Sequence, residues 1–247
     1  MSKNSNKVSV ILPTYNEAGN IVPLIDAIHS EIKDYEHEII VVDDNSPDGT
    51  YQIVLDLGYP FAKAICRTSD PGFAKSIRYG LENAKGNLFV IMDSDFNHQP
   101  KYVLFMIQAL SFYDCVIGSR FLYGGRGLNN KRHLLSWSFN IFLRLITDGA
   151  ITDSLYGFVA IRREVIERCN YEDIFWGFGD YCIRLIYYIQ KNNDTILQVP
   201  MIDGMRRAGR ANRLSLRVVI QYTVTVIKLV LEEGRLGFCR KKNLVIK

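Results

Sequence analysis

Two carboxylates separated by one serine end an apolar run in VIMDSDFNHQP, residues 90–100. The preceding stretch, Leu88 to Met92, reads as a buried strand. Strand side chains alternate, so Asp93 and Asp95 are expected on one side and Ser94 on the other. Like charges that close repel unless positive charge lies between them. A divalent cation with a phosphate-bearing ligand would supply that charge. A pair of solvated loop aspartates, one of them capping the helix after Pro100, would need no such partner.

Three further polar clusters end apolar runs: PTYNE (13–17), DDNSPDGT (43–50) and GSR (118–120). The runs that carry them, VSVILP (8–13), HEIIVVDD (37–44), NLFVIMD (87–93) and DCVIGS (114–119), read as strands, with FAKAICR (61–67) a weaker one. Between them lie helical patterns from Asn20 to Ile32, Asp48 to Leu57, Ala74 to Ala84 and onward from Lys101. Strands separated by helices imply right-handed crossovers and a mostly parallel sheet. Continuous apolar runs such as IIVV fit strands covered on both faces. In such a sheet ligands bind at the carboxyl ends of the strands, where these clusters fall. The chain has neither GxGxxG after its first strand nor GxxxxGK[ST] anywhere, so a dinucleotide fingerprint and a P-loop are both excluded.

After Phe121 come a glycine-rich basic loop (123–133), the aromatic helix LLSWSFNIFLRLI, the segment ITDSLYGFVAIRRE, a helix from Tyr181 to Lys191 and a strand ILQVP. The 247 residues fit one α/β domain over 1–213, followed by a helix and basic tail over 214–247. In the helix, residues 214–233, polar Arg217, Gln221, Thr225, Lys228 and Glu232 share one face. That pattern suits a helix lying on a membrane surface, or one packed on its own domain, better than a membrane span. Five scattered cysteines with no CxxC pair argue against a disulfide framework or zinc site and for a reducing compartment. The start of the chain has no apolar stretch long enough for a signal peptide, so a cytoplasmic location is expected. The net charge is +4, with arginines gathered at 206, 207, 210, 213 and 217. Nucleic-acid binding would account for those arginines and not for the carboxylates, and is not expected.

PTYNE with Asn20, DDNSPDGT, MDSDFNHQP, GSRF and DSLYGF, in this order, resemble the family 2 glycosyltransferases of the GT-A fold. Within them, the polyprenyl-phosphate (dolichol-phosphate mannose synthase-like) branch is the most similar, over residues 8 to about 215. The resemblance implies a mostly parallel sheet with helices on both faces and a nucleoside-diphosphate sugar as donor. Pro13, Tyr15, Glu17 and Asp44 would lie at the nucleotide; core packing for Tyr15 and a helix-dipole role for Glu17 are the alternatives. Asp93, Ser94 and Asp95 would form the DxD element, whose carboxylates share a Mg²⁺ or Mn²⁺ ion with the diphosphate. Asp95 is accordingly a catalytic candidate. Asp153 would shape the sugar pocket. Tyr156 stands where serine is more usual, so the resemblance carries no identity for the donor sugar. His98 is as well suited to a structural role as to a catalytic one.

The acceptor divides the readings. A lipid phosphate is already mostly ionised at neutral pH and needs positive charge to position it, whereas a sugar hydroxyl needs a base. Arg120, Arg132 and Ser136 resemble acceptor-phosphate contacts, and Arg suits phosphate. Arg206 and Gly209 match a basic family segment that grips the diphosphate, although Ala211 and Asn212 replace its Ser-Lys pair. Gly179-Asp180 stands where the branch usually has a Phe-Gln-type element. Asp180 could be the base for a hydroxyl on a lipid-linked surface glycan, a third metal ligand, or the N-cap of the following helix. The leading expectation is an inverting hexosyltransferase acting on a polyprenyl phosphate, peripheral on the inner face of a membrane. A hydroxyl-glycosylating enzyme and a non-catalytic sugar-nucleotide-binding subunit are the alternatives.

Overall fold

The computed structural model describes residues 6–128, 130–147, 149–209 and 216–232, with backbone alone at 130–132, 147, 216, 217, 230 and 232. Strands β1 (Val8–Thr14), β2 (His37–Asp43), β3 (Ala62–Cys66) and β4 (Leu88–Ile91) alternate with helices α1 (Ile21–Ile32), α2 (Thr50–Asp56) and α3 (Phe73–Asn83). Helix α4 (Val103–Ala109), strand β5 (Cys115–Ser119) and the long helix α5 (Asn130–Thr147) follow. The chain continues through β6 (Val159–Arg162), α6 (Arg163–Ile166), α7 (Tyr171–Ile174), α8 (Tyr181–Lys191), β7 (Ile196–Pro200) and α9 (Leu216–Glu232).

Among the described residues these strands form one sheet, ordered β3-β2-β1-β4-β6-β5-β7. Only β6 runs antiparallel to its neighbours; every other pair is parallel. The sheet is therefore mostly parallel, as the alternating runs imply. The sequence reading left 151–164 without a strand. A four-residue run behind a turn glycine is too short to show a period, and only pairing with β4 and β5 makes it one. This reversal has a consequence for the site. The carboxyl ends of the parallel strands share one edge, and β6 starts there, so the segment 153–158 is delivered to the edge that holds the acidic pair.

Both faces are covered. Val8, Val10 and Leu12 of β1 pack with Ile21, Leu24, Ile25 and Ile28 of α1, whereas Ile11 meets Ala74, Ile77 and Leu81 of α3 across the sheet. Each continuous apolar run thus still obeys the two-residue alternation, with both of its faces buried. Helix α3 lies very close to the sheet: a Cβ at Gly80 would sit 2.5 Å from Ile11 Cγ2 and 3.2 Å from Val42 Cγ2.

Helix α9 has its faces reversed from a solvated-polar arrangement. Gln221 and Thr225 turn inward, Val226 and Leu229 pack with Leu143, Ile183 and Tyr187, and Ile220, Val224, Ile227 and Leu231 face outward. The side chains of Arg217 and Glu232 lie outside the described residues, as do Arg210, Arg213 and the basic tail. Among the described residues no helix is long and apolar enough to cross a membrane.

The tight α3 contact gives a direct check of the packing. Gly80→Ala is expected to push α3 off β1 and β2 and to lower unfolding stability by about 1–3 kcal/mol, read from a urea denaturation midpoint.

Candidate active site

A cavity of about 460 Å³ opens at the carboxyl edge of the sheet. Its first wall comes from the loops after β1 and β2, which are bonded to each other. Asp43, fully buried, accepts from Thr14 Oγ1 (3.1 Å), Ser46 N (2.8 Å) and Ser46 Oγ (2.6 Å). Asp48 accepts from Ala18 N (3.0 Å), and Thr50 Oγ1 accepts from Glu17 N (3.0 Å). Held this way, Tyr15 projects with 59% of its surface exposed, which excludes core packing. Asp44 lines the cavity but is fully engaged: Arg67 Nη1 (2.8 Å), Gly72 N (2.7 Å) and Ser76 Oγ (2.7 Å) all donate to it. It fixes the segment before α3, whose Pro71, Gly72 and Phe73 also line the cavity.

The acidic pair sits on the floor. The β4 ladder ends at Ile91, two residues before Asp93. Asp93, Ser94 and Asp95 all line the cavity, and Ser94 Oγ donates to Pro13 O at 2.9 Å. His98 is buried and neutral, since burial pushes its pKa down to about 4. Its Nδ1 accepts from Asp93 N (2.8 Å), which leaves Nε2 to donate to Tyr156 O (3.0 Å). This histidine holds the Asp93 backbone in register with a third wall, Leu155 to Gly157, the structural one of its two expected roles.

Asp95 carries an electrostatic burden. Burial first, and then the charge of Asp93, raise its pKa. Arg206 Nη1 offsets this with a bond of 2.9 Å to Asp95 Oδ2, and Nη2 of the same guanidinium donates to Glu17. Glu17 is itself pushed up by burial and accepts from Asn20 Nδ2 at 2.6 Å. Asn20 also pins Ala208 through two bonds, at 3.1 and 2.9 Å, so the segment 206–208 closes over the acidic floor. The expected basic segment therefore reaches the site, through Arg206.

Asn97 went unremarked in the sequence. Its Nδ2 donates to Asp95 Oδ2 at 3.0 Å and the residue lines the cavity, so an amide whose oxygen could join a cation stands beside the pair. Among the described residues no group of three His, Cys, Asp or Glu could hold a metal. Two carboxylates and an amide oxygen nevertheless fit a hard cation that takes its remaining ligands from phosphate and water.

Several expected contacts lie behind the cavity wall. Asp153 is buried and accepts from Arg120 Nε (2.8 Å) and Nη2 (3.0 Å) and from Asn140 Nδ2 (3.2 Å). Arg120 also donates to Ser136 Oγ (3.0 Å) and lies over the Tyr156 ring, 4.8 Å from its centroid. Asp153 thus shapes the pocket indirectly, by fixing Leu155, Tyr156 and Gly157, which do line it. Arg120 and Ser136 are neighbours as expected, but the guanidinium is neutralised by Asp153. The Arg132 side chain lies outside the described residues.

Asp180 requires a correction. It is fully buried and outside the cavity lining, and Arg184 Nη1 donates to it at 2.5 Å. A base or metal ligand needs access to the reacting groups, and this carboxylate has none. It occupies the N-cap position of α8 without capping it, since its side chain accepts instead from the preceding Phe178 N at 2.8 Å. Phe178 and Gly179, with Tyr181, Cys182 and Tyr222 of α9, complete the fourth wall. Tyr222 lies within the helix expected over 214–233, whose polar positions do not include it.

The model of glycosyl transferase family 2 matches residues 9–169, which contain the whole acidic floor. The chain is a family 2 glycosyltransferase. It is 32% identical to a dolichol-phosphate mannosyltransferase of Pyrococcus furiosus, over 97% of this chain and 68% of that one. Against the dolichol-phosphate mannosyltransferase of Saccharomyces cerevisiae the identity is 30%, covering 88% and 85%. An undecaprenyl-phosphate mannosyltransferase of Micrococcus luteus is 27% identical, covering 90% and 93%. In structure the chain resembles glucosyl-3-phosphoglycerate synthase of Mycobacterium tuberculosis, solved with Mn²⁺, uridine diphosphate and phosphoglyceric acid. The TM-score is 0.70 at 21% identity, over 93% of this chain and 79% of that one, a likeness of fold.

The Arg120–Asp153 pair behind this glycosyltransferase's third wall can be tested on its own. Arg120→Met leaves a buried carboxylate without its countercharge and is expected to cost about 3–5 kcal/mol of stability, measured by chemical denaturation.

Proposed function

We propose that this enzyme transfers a hexose, with inversion, from a nucleoside-diphosphate sugar to a polyprenyl phosphate, while docked on the inner face of a membrane. The observation that carries the choice of acceptor is the state of the carboxylates. A hydroxyl acceptor requires a base in reach of its proton. Asp180, the residue suggested for that task by its position in the sequence, is closed inside an ion pair behind the wall. A phosphate acceptor arrives already ionised, so it needs positioning and no base. The three mannosyltransferases similar to this chain are named for dolichol phosphate or undecaprenyl phosphate, which favours the same reading.

Asp93 and Asp95, joined by the Asn97 amide oxygen, would hold Mg²⁺ or Mn²⁺ with the donor diphosphate. Bound there, the ion supplies positive charge against the charge that builds on the departing diphosphate. Tyr15 would cover the base, with Pro13, Glu17 and the Asp44-fixed loop shaping the pocket for base and ribose. Ser94 holds the floor to β1 through Pro13 O. Arg206, which shares the acidic floor with Glu17 and Asp95, is suited to follow the diphosphate once a cation takes its place.

Membrane docking is supported by two outward apolar stripes. Helix α5 exposes Leu134, Leu135, Trp137, Phe142 and Leu145, and α9 exposes Ile220, Val224, Ile227 and Leu231. The helices adjoin through Phe139 and Tyr222, so the stripes belong to neighbouring elements, of which α9 borders the cavity through Tyr222. Exposed Arg144 and Lys228 add positive charge suited to anionic headgroups. The free thiols of Cys66, Cys115, Cys169 and Cys182 agree with a reducing compartment.

The reading is tested by following labelled sugar from UDP, GDP and dTDP donors into polyprenyl phosphates. Label in the lipid, abolished by EDTA and restored by Mg²⁺ or Mn²⁺, is the expected result. Asp93→Asn and Asp95→Asn should each lower turnover by about 10²-fold or more, as loss of transition-state charge stabilisation does. No labelled lipid with any pairing, or label appearing on a glycan hydroxyl instead, would refute it. Sedimentation with anionic vesicles should retain the protein, and Ile220→Glu with Ile227→Glu should release it without changing its Tm by more than a few degrees.

A further inference from the structure

Asp180 has every acceptor position in use, and the donors come from three segments. Oδ1 accepts from Phe178 N (2.8 Å) and Gln221 Nε2 (3.1 Å). Oδ2 accepts from Arg184 Nη1 (2.5 Å) and Thr225 Oγ1 (2.8 Å). Arg184, 1% exposed, spends its other donors on backbone carbonyls of the loop before α8: Nε reaches Ile174 O at 2.8 Å and Nη2 reaches Trp176 O. Its guanidinium also lies on the Trp176 ring, 3.7 Å from the centroid. The ion pair therefore ties α8, the loop 174–179 and α9 together with few donors left over. A charge this deeply buried persists only when it is paired and its remaining positions are hydrogen-bonded.

That same loop and helix form the fourth wall of the cavity. Phe178, Gly179 and Tyr222 face the cavity, and Tyr222 follows Gln221 directly in α9. The fit is close: a Cβ at Gly179 would lie 2.3 Å from Tyr222 Oη, and one at Gly177 would lie 2.6 Å from Gln221 Nε2. Gly177 also adopts a left-handed backbone, at φ +73°. The glycines of WGFG are thus matched to α9 as it is docked here. The nucleotide wall has anchors of its own, through Asp43, Asp44, Asp48 and Asn20.

We infer that α9 is part of the active site: Tyr222 contacts the acceptor phosphate, and Asp180, Arg184, Gln221 and Thr225 are positioning residues that hold it there. The inference rests on the polyprenyl-phosphate reading above. The Tyr222 hydroxyl can donate to a phosphate oxygen, and Gly179, lacking a side chain, lets that hydroxyl sit at the cavity wall. The outward stripe of α9 meets lipid in that reading, so one helix grips the membrane on one side and borders the acceptor site on the other. The latch then sets the height of the acceptor phosphate relative to the acidic floor.

The test uses the full chain with a short-chain polyprenyl phosphate in detergent and compares Thr225→Val, Gln221→Leu, Tyr222→Phe and Asp180→Asn. Each of the first three is expected to raise the acceptor KM or lower kcat by about tenfold, an effect typical of slight misplacement of a reacting group. The Kd of the nucleoside diphosphate, measured with Mn²⁺, should stay within about twofold, because the nucleotide wall has its own anchors. Asp180→Asn should behave in the same way, with the shape of its pH–rate profile retained. If it fails to fold, Thr225→Val and Tyr222→Phe still decide the question. Unchanged acceptor kinetics in both, alongside normal wild-type turnover, overturn the inference, as does a pH–rate profile that loses its acidic limb in Asp180→Asn. Absence of transfer in the wild-type protein is a different result and refutes the proposed reaction instead.

Discussion

The arrangement at this site follows from holding two carboxylates side by side on a buried floor. Asp95 is nearly buried and lies beside Asp93, and both circumstances disfavour its charge. The surroundings answer with one arginine. Arg206 bridges Asp95 and Glu17, drawing the segment 206–208 across the floor from the far end of the chain. One cation shared by two carboxylates, with Asp93 close by, leaves net negative charge in the cavity. A divalent ion would redress that balance, and a diphosphate would complete its coordination, as the proposed reaction requires.

The rest of the fold can be understood as support for that floor. A parallel sheet gathers its loops at one edge. The antiparallel β6 adds what a wholly parallel sheet could not, delivering Tyr156 and Gly157 to the same edge through Asp153 and its arginine. His98, kept neutral by burial, joins the floor to that wall, with Asp93 N on one ring nitrogen and Tyr156 O on the other. The walls have different anchors. Short polar loops fix the side formed after β1 and β2, whereas an ion pair shared with α9 fixes the opposite side.

Much of this was legible in the sequence, for physical reasons. Strands buried on both faces give continuous apolar runs, and the helices between them give clear periods. The order of elements through β5 could therefore be read directly, with the end of β4 two residues short of the expected boundary. Asp93 and Asp95 were legible because loop chemistry at a strand end does not depend on distant packing, whereas Glu17, Tyr15 and Arg206 were read through the family resemblance. What escaped was tertiary. The four residues of β6 carry no period of their own. In α9 the polar face was visible, but its direction depends on a partner forty residues earlier: Asp180 draws Gln221 and Thr225 inward and leaves Ile220, Val224, Ile227 and Leu231 outside. Asp180 itself, an acidic residue in a glycine-rich segment, has the composition of a catalytic loop, and only the position of Arg184 shows that it is structural.

The central claim is that the floor at Asp93 and Asp95 takes up a nucleoside diphosphate together with a divalent cation. Isothermal titration of UDP and GDP, with and without Mn²⁺, tests it most directly. The account predicts saturable binding of at least one of them that depends on the ion and is lost when both aspartates become asparagine. Equal affinity with and without the ion, or undiminished binding in the double variant, would contradict it.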